Sequence, residues 1–199
     1  MKKLVSLFIA LVMCLSLSVP AFAAEENPDN FGVRDVMLDV TKMSEEELAI
    51  YNEVMDKAIA EHKAADPNFD EAEFVEQVNY ILYLMEYGIP MTRAIIDLSL
   101  PLDAVVAALD VALSAAIGGI TGAAVKGLVK QFGKKIAVQK ITSAAIGALA
   151  SLGVTKVLDL DSIVTNIVET LVDPSTAIAN ALDSSDPEPN NGYWDIVIG

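Results

Sequence analysis

The chain has 199 residues, 53% of them hydrophobic, with 28 acidic against 13 basic side chains, a formal charge of -15 and a mean hydropathy of +0.46. That much apolar material excludes a disordered polyelectrolyte, and a pI near 4.2 excludes nucleic acid as a partner, because phosphate binding needs a basic surface. One cysteine excludes an intramolecular disulfide framework, and one histidine leaves little for transition-metal or triad chemistry.

The N-terminus opens with Lys2 and Lys3, an apolar run over residues 4–19, Pro20 and the small-residue motif Ala21-Phe22-Ala23. This is a complete secretory signal, residues 1–23, with cleavage expected after Ala23 or, as a second choice, Ala24. The apolar run is short for an uncleaved span. Cys14 lies inside the leader behind bulky Met13, which argues against lipoprotein processing, so the mature chain is expected to be cysteine-free and stabilised by packing or a partner. With no LPxTG sorting signal and no apolar tail, it reads as a secreted, extracellular protein of bacterial style.

Residues 24–182 read as one mainly helical domain. Residues 33–40 have strand composition. Ser44-Glu45-Glu46-Glu47 is a capping box, and Leu48, Tyr51, Met55, Ala58, Ile59 and His62 follow at three- and four-residue steps. Asp66-Pro67-Asn68 breaks that helix, and Asp70-Glu71-Ala72-Glu73 opens the next with acids that favour the helix dipole. Phe74, Val78, Ile81, Leu82 and Met85 form its apolar face, and Gly88 followed by Pro90 ends it, so acidic amphipathic helices cover 44–88. A short apolar helix is expected over 92–98. Pro101 then starts a long helix that bends at Gly118-Gly119 and continues to Phe132; Gly133 breaks it, and a further helix covers 134–152. The apolar pair spans 102–153. Another helix covers 162–172 and ends at Asp173-Pro174, and a last short one reaches Leu182. Within the tail, 183–199, residues 183–192 read as a solvated polar linker and 193–198 as a strand, which pairs with 33–40 in this reading.

Charge is distributed in blocks. Residues 25–110 hold 20 acidic and 5 basic side chains; residues 111–156 hold no acid and 6 lysines; residues 157–199 hold 8 acids and no base. The most apolar part of the mature chain is therefore its one cationic part. Two uncharged stretches, 111–125 and 141–155, flank a basic block containing Lys126, Lys130, Lys134, Lys135 and Lys140. Neither reaches the ~18 uninterrupted residues of a transmembrane helix. Small residues recur every four positions, Ala115, Gly119, Ala123 and Gly127 on one stretch and Ser143, Gly147 and Ser151 on the other. Such faces allow close backbone approach, and Gly118, Gly119 and Gly122 each cost about 1 kcal/mol of helix stability in water unless packing or a bilayer compensates. In one reading the two helices are the packed centre of a soluble bundle. In the other they form a hairpin that enters a bilayer, with the lysines, three of them at steps of four, drawn to anionic bacterial lipid. The arrangement is similar in architecture to the hydrophobic hairpin of pore-forming bacteriocins, without a motif that names a family.

Asp103 and Asp110, seven residues apart, continue into Ser114 and Thr121 as a thin polar stripe, read as a solvent-facing seam. The functional alternative pairs the two aspartates with lysines of the neighbouring helix as a pH latch, weakened by protonation and hence giving stronger membrane binding in acid.

Chemistry-bearing motifs are incomplete. His62 stands alone between Glu61 and Lys63 with no H-E-x-x-H, no G-x-S-x-G elbow is present, and the phosphate-loop spacing of Gly122 and Gly127 is followed by Leu128 instead of lysine. Asp66, Asn68 and Asp70 imitate the start of a calcium loop, but Glu71 replaces the turn glycine and Gln77 the bidentate glutamate. Asp186, Glu188 and Asn190 alternate among prolines. Glu45, Glu46 and Glu47, and Glu71 with Glu73 and Glu76, sit in or near first helical turns, where the dipole accounts for them. No catalytic, cofactor or metal residue is expected.

The expectation is an all-α protein: a small helical bundle around a Gly/Ala-rich apolar hairpin, with a short two-stranded β element from the terminal segments. The functional expectation is a secreted, non-enzymatic, membrane-active, bacteriocin-like protein. Its candidate lipid-facing residues are Gly118, Gly119, Gly122, Lys126, Lys130, Lys134, Lys135, Lys140 and Gly147, with Asp103 and Asp110 as the candidate latch. The alternative is a secreted interaction or structural protein whose hairpin is only core and whose terminal strand engages a protein partner by edge pairing.

Overall fold

The computed structural model describes residues 40–89, 96–118, 121–152 and 159–198, all within one unit that begins at Val36. After a 3-10 turn at Val40–Lys42 they form seven α-helices and two strands: α1 Glu45–Ala65, α2 Glu71–Tyr87, β1 Ile96–Pro101, α3 Leu102–Ile117, α4 Thr121–Phe132, α5 Lys134–Ala150, α6 Leu160–Thr170, α7 Pro174–Asp183 and β2 Tyr193–Ile198. The all-α expectation with a small β element holds.

The first two helices form where their local signals dictate. Ser44 Oγ accepts from Glu47 N–H at 3.2 Å while the Glu47 carboxylate accepts from Ser44 N–H at 2.9 Å, the reciprocal capping box. Asp70 caps α2 by accepting from the N–H groups of Ala72 and Glu73, both at 3.0 Å. Phe74, Val78, Ile81, Leu82, Leu84 and Met85 of α2 are buried, and Tyr51 Oη of α1 donates to Asn79 Oδ1 of α2 at 2.8 Å. Gly88 ends α2 with φ 81°, and a Cβ there would lie 3.1 Å from the Ser151 carbonyl oxygen, so both the left-handed backbone and the close approach require glycine. Ser151 Oγ donates to the Met85 carbonyl, which ties the end of α5 to the end of α2.

The helix expected over 92–98 is corrected. Residues 92–95 lie outside the described residues, and Ile96–Pro101 is a strand, antiparallel to β2 from Ile96 opposite Ile198 to Pro101 opposite Tyr193. The reason is the pairing with β2, along which Leu98 is half-buried, Ser99 exposed and Leu100 buried. The C-terminal strand is thus present with β1 beside it, Trp194 and Ile196 turned into the core; residues 33–39 lie outside the described residues. Leu102 N–H donates to the Gly192 carbonyl at 3.0 Å, closing the corner where β1 becomes α3.

Helix α3 is central. It packs against α1, α2, α4, α5 and α7, and Ala104, Ala107 and Ala108 alternate with Val105, Leu109, Val111 and Leu113 on its buried sides. At Gly118 (φ 78°) the backbone enters the left-handed region and its N–H donates to the Ser114 carbonyl, so the helix terminates where a bend was expected. Asp159 caps α6 through Ser162 N–H, and Asp173 caps α7 through Thr176 N–H with Pro174 in the first turn.

The tail also departs from the sequence reading. Asp183 is buried and closes α7, and its carboxylate accepts from Asn191 N–H at 3.2 Å. Asp186 accepts from Glu188 N–H at 3.1 Å and from Asp195 N–H at 2.8 Å. Residues 184–192, exposed apart from half-buried Asp186, are solvated as expected but are ordered as a turn by two aspartates.

Candidate functional site

The hairpin is built from two short helices joined at Gly133. Val125 and Leu128 of α4 and Ala137, Ile141, Thr142, Ala145 and Leu149 of α5 face the core. The opposite side carries the candidate lysines. Lys126, Lys130, Lys134, Lys135 and Lys140 are all exposed. Among them three apolar side chains stand partly in water: Phe132 is 41% exposed, Ile136 43% and Ile146 43%. Lys140 Nζ lies 5.3 Å from the centre of the Phe132 ring, a cation–π distance that leaves both groups at the surface.

The small-residue faces are corrected here. Gly127 and Gly147 are exposed, a Cβ on either would meet nothing within 4 Å, and Ser143 and Ala115 are exposed as well. Gly118 is equally open. Of the series on the second stretch Ser143 and Gly147 meet water while Ser151 is half-buried against the end of α2, and on α4 Gly127 meets water, because α4 and α5 enter the core through residues such as Val125, Leu128, Ile141 and Leu149. Gly119 lies outside the described residues; Gly122 is in the first turn of α4.

Capping is weak at the start of α5. Gly133 precedes α5 without a side-chain hydrogen bond, and the first turn of α5 contains Lys134 and Lys135 and no acid, the reverse of what the helix dipole favours. Two buried hydroxyls, Ser114 Oγ on α3 and Thr142 Oγ1 on α5, have no hydrogen-bond partner, a state that costs about 1–3 kcal/mol per group. Both lie on helices that pack together.

The polar stripe of α3 is only partly the solvent-facing seam expected. Ser114 is fully buried, and Asp110 is half-buried, accepting from the buried Ser175 Oγ of α7. Asp103 is exposed, accepts from Ala104 N–H at 2.8 Å, and has a carboxylate oxygen 3.9 Å from His62 Nε2. His62 itself stacks on Phe69 with ring centres 4.9 Å apart and lies 5.0 Å from Phe74, which gives it a packing role.

Beside Asp103 opens a cleft of about 700 Å³ that sequence reasoning did not find. Asp70 and Glu73 of α2, Asp103 of α3, Phe69, Phe74 and Tyr193 provide its acidic and aromatic lining, and no basic residue is among the described residues that line it. Each acid is visible in the sequence as a first-turn or capping residue. Their convergence with Tyr193 is not, because it joins positions ninety or more residues apart.

The other candidate constellations are used up locally. Asp66 Oδ1 accepts from Asn68 N–H at 2.9 Å and Asp70 caps α2, so the calcium-loop imitation is a capped turn. Among the described residues, no group of three or more His, Cys, Asp or Glu is placed to hold a metal ion. Burial pushes the Tyr51 phenol above its ordinary value, opposed by the bond to Asn79, and burial with the neighbouring Tyr83 does the same for Tyr80. Compared with protein-family models, with curated proteins and with solved structures, the chain has no match in any of the three.

Proposed function

We propose that this is a secreted, non-enzymatic, membrane-active protein, bacteriocin-like in mode, exported by residues 1–23 and acting on anionic lipid through α4 and α5. The observation that carries the reading is the outer side of the hairpin, where Phe132, Ile136 and Ile146 stand in water among five exposed lysines. No acidic residue occurs between 111 and 156 to neutralise them internally. Among the described residues no helix is long and apolar enough to cross a membrane, so the reading is interfacial: the lysines meet phosphate and the three apolar side chains reach the acyl boundary. Lysines near an anionic surface contribute about 1 kcal/mol each, enough for several to outweigh the repulsion of the acidic remainder at short range.

The test is binding and dye release with vesicles of mixed phosphatidylglycerol and phosphatidylcholine against phosphatidylcholine alone, using the exported chain. Release is expected with the anionic vesicles, with a loss of tenfold or more in Ile136→Ser/Ile146→Ser, whose exposed positions leave the core intact. Gly122→Asp with Gly147→Asp should act in the same direction. Equal, negligible association with both vesicle types would remove the proposal. The second reading, an extracellular interaction protein, is favoured by the acidic, aromatic cleft, which has the volume of a binding pocket.

A further inference from the structure

The cleft and the hairpin are chemical complements on one chain. The cleft presents three carboxylates, Asp70, Glu73 and Asp103, against the aromatic rings of Phe69, Phe74 and Tyr193, with no basic residue among its described lining. Its wall is partly ready for a flat or aliphatic group: Phe74 is buried behind it and Tyr193, 46% exposed, stands at its edge. A ligand that fits this lining carries ammonium or guanidinium groups next to an apolar body, since carboxylates pair with the charge and rings with both the charge and the body. The break between α4 and α5 displays that chemistry. Phe132, Lys134, Lys135 and Ile136 are all exposed around Gly133, within five consecutive positions.

We propose that the cleft receives the Phe132–Lys135 turn of a second copy of this chain. Charge argues for that occupant. Copies of a protein this acidic repel one another in most orientations, and the five exposed lysines between 126 and 140, with no acid among them, are a part of the described surface that reverses the sign. Of the encounters two copies can make, those that bring the lysine turn to a carboxylate-lined surface are attractive. The cleft adds apolar and aromatic area that a merely charged face lacks, so the contact has a fixed seat as well as an attraction. Because a turn on one copy meets a cleft on the other, two different patches are joined, and the contact is heterologous unless both pairs form at once in a closed dimer. The same lysines carry the lipid reading, so assembly would hold them away from membranes until lipid competes for them. The self-association itself requires no lipid, and its test contains none, so that the two readings fail separately.

The experiment is sedimentation velocity on the exported chain at rising concentration, first at about 0.01 M ionic strength, where charges act over roughly 30 Å, then at about 0.15 M, where they act over roughly 8 Å. Association is expected at low ionic strength, weakening tenfold or more at the higher. The decisive arm uses two charge-swapped proteins, Lys134→Glu/Lys135→Glu and Glu73→Lys/Asp103→Lys, each checked for native circular dichroism. Each alone is expected to be monomeric where the wild type associates, and their equimolar mixture to associate again, because each then offers the charge the other has lost. General repulsion predicts otherwise: the cleft-swapped protein is less acidic than the wild type and would associate more readily. Tyr193→Ser, which changes no charge, should weaken association several-fold. A wild-type protein monomeric at low ionic strength, a cleft-swapped protein that assembles alone, or a mixture that stays monomeric would each overturn the proposal.

Discussion

Helices α1 and α2 and helices α4 and α5 are both helical pairs in the same bundle, and they are stabilised by opposite means. The first pair is made by its own sequence. A capping box starts α1, an aspartate cap starts α2, acids fill both first turns, and Tyr51 links the two through Asn79. In the second pair α5 begins with two lysines behind an uncapped glycine, three of its five buried residues are alanine or threonine, and glycines 127 and 147 lie open to water. What keeps α4 and α5 helical is contact with α3 and α6. A helix that depends on its neighbours in this way is also the one that opens first, and here it is the one carrying the exposed lysines and apolar side chains. The element with the least stability of its own is the element with the candidate function.

The largest expected effect tests whether α3 serves both pairs. Leu109 is fully buried near the middle of α3, and Leu109→Ala should cost about 3 kcal/mol, lowering the thermal midpoint of the whole molecule in one transition. If the hairpin melts alone while α1 and α2 keep their amide protection, the two pairs are less dependent on α3 than their contacts imply.

A smaller substitution separates opening from surface action. Thr142→Val replaces a buried, unpartnered hydroxyl by a methyl group of nearly the same shape, so it should stabilise the protein by about 1 kcal/mol and slow amide exchange over 134–150 by roughly fivefold, with little change over 45–87. Dye release then divides the mechanisms. If it falls in proportion, the hairpin must leave the bundle to act; if it is unchanged, the exposed side of the hairpin acts in place.

The sequence makes the two pairs unequally legible for the same physical reason. Ser44 with Glu47, and Asp70 with the N–H groups of Ala72 and Glu73, are interactions across two or three residues, so a local reading recovers them. The five lysines between 126 and 140 have no acidic neighbours along the chain and are all exposed, because burying five ammonium groups without partners is prohibitive. The small-residue stripe misled because spacing identifies a side of a helix and not what that side meets: Gly147 and Ala145 are two positions apart, and only Ala145 is buried. Ile96–Pro101 is too short for periodicity to separate strand from helix until Trp194 and Ile196 are seen beside it. The cleft was beyond reach of local reading, since Asp103 and Tyr193 meet only once β1, β2 and α3 have turned their corner at Gly192.

The smallest effect reverses the order of the comparison by pH. The phenol of Tyr51 is held above its ordinary value near 10 by burial, and Tyr80 is raised in the same sense. A raised phenol favours the folded state while it is neutral in both states. That contribution is complete below the ordinary value and is lost as pH climbs through the raised one, because the unfolded chain ionises first. Alkaline solution should therefore loosen α1 from α2, where the Tyr51 to Asn79 bond lies, before it affects α4 and α5, whose lysines are all exposed. Amide exchange at matched intrinsic rates checks this, with Tyr51→Phe as the control that removes the steepest part of the alkaline loss at the expense of the bond. Should the hairpin still open first above pH 10 in the wild type, the weakness of α4 and α5 is large enough to dominate even where α1 and α2 are at their least stable.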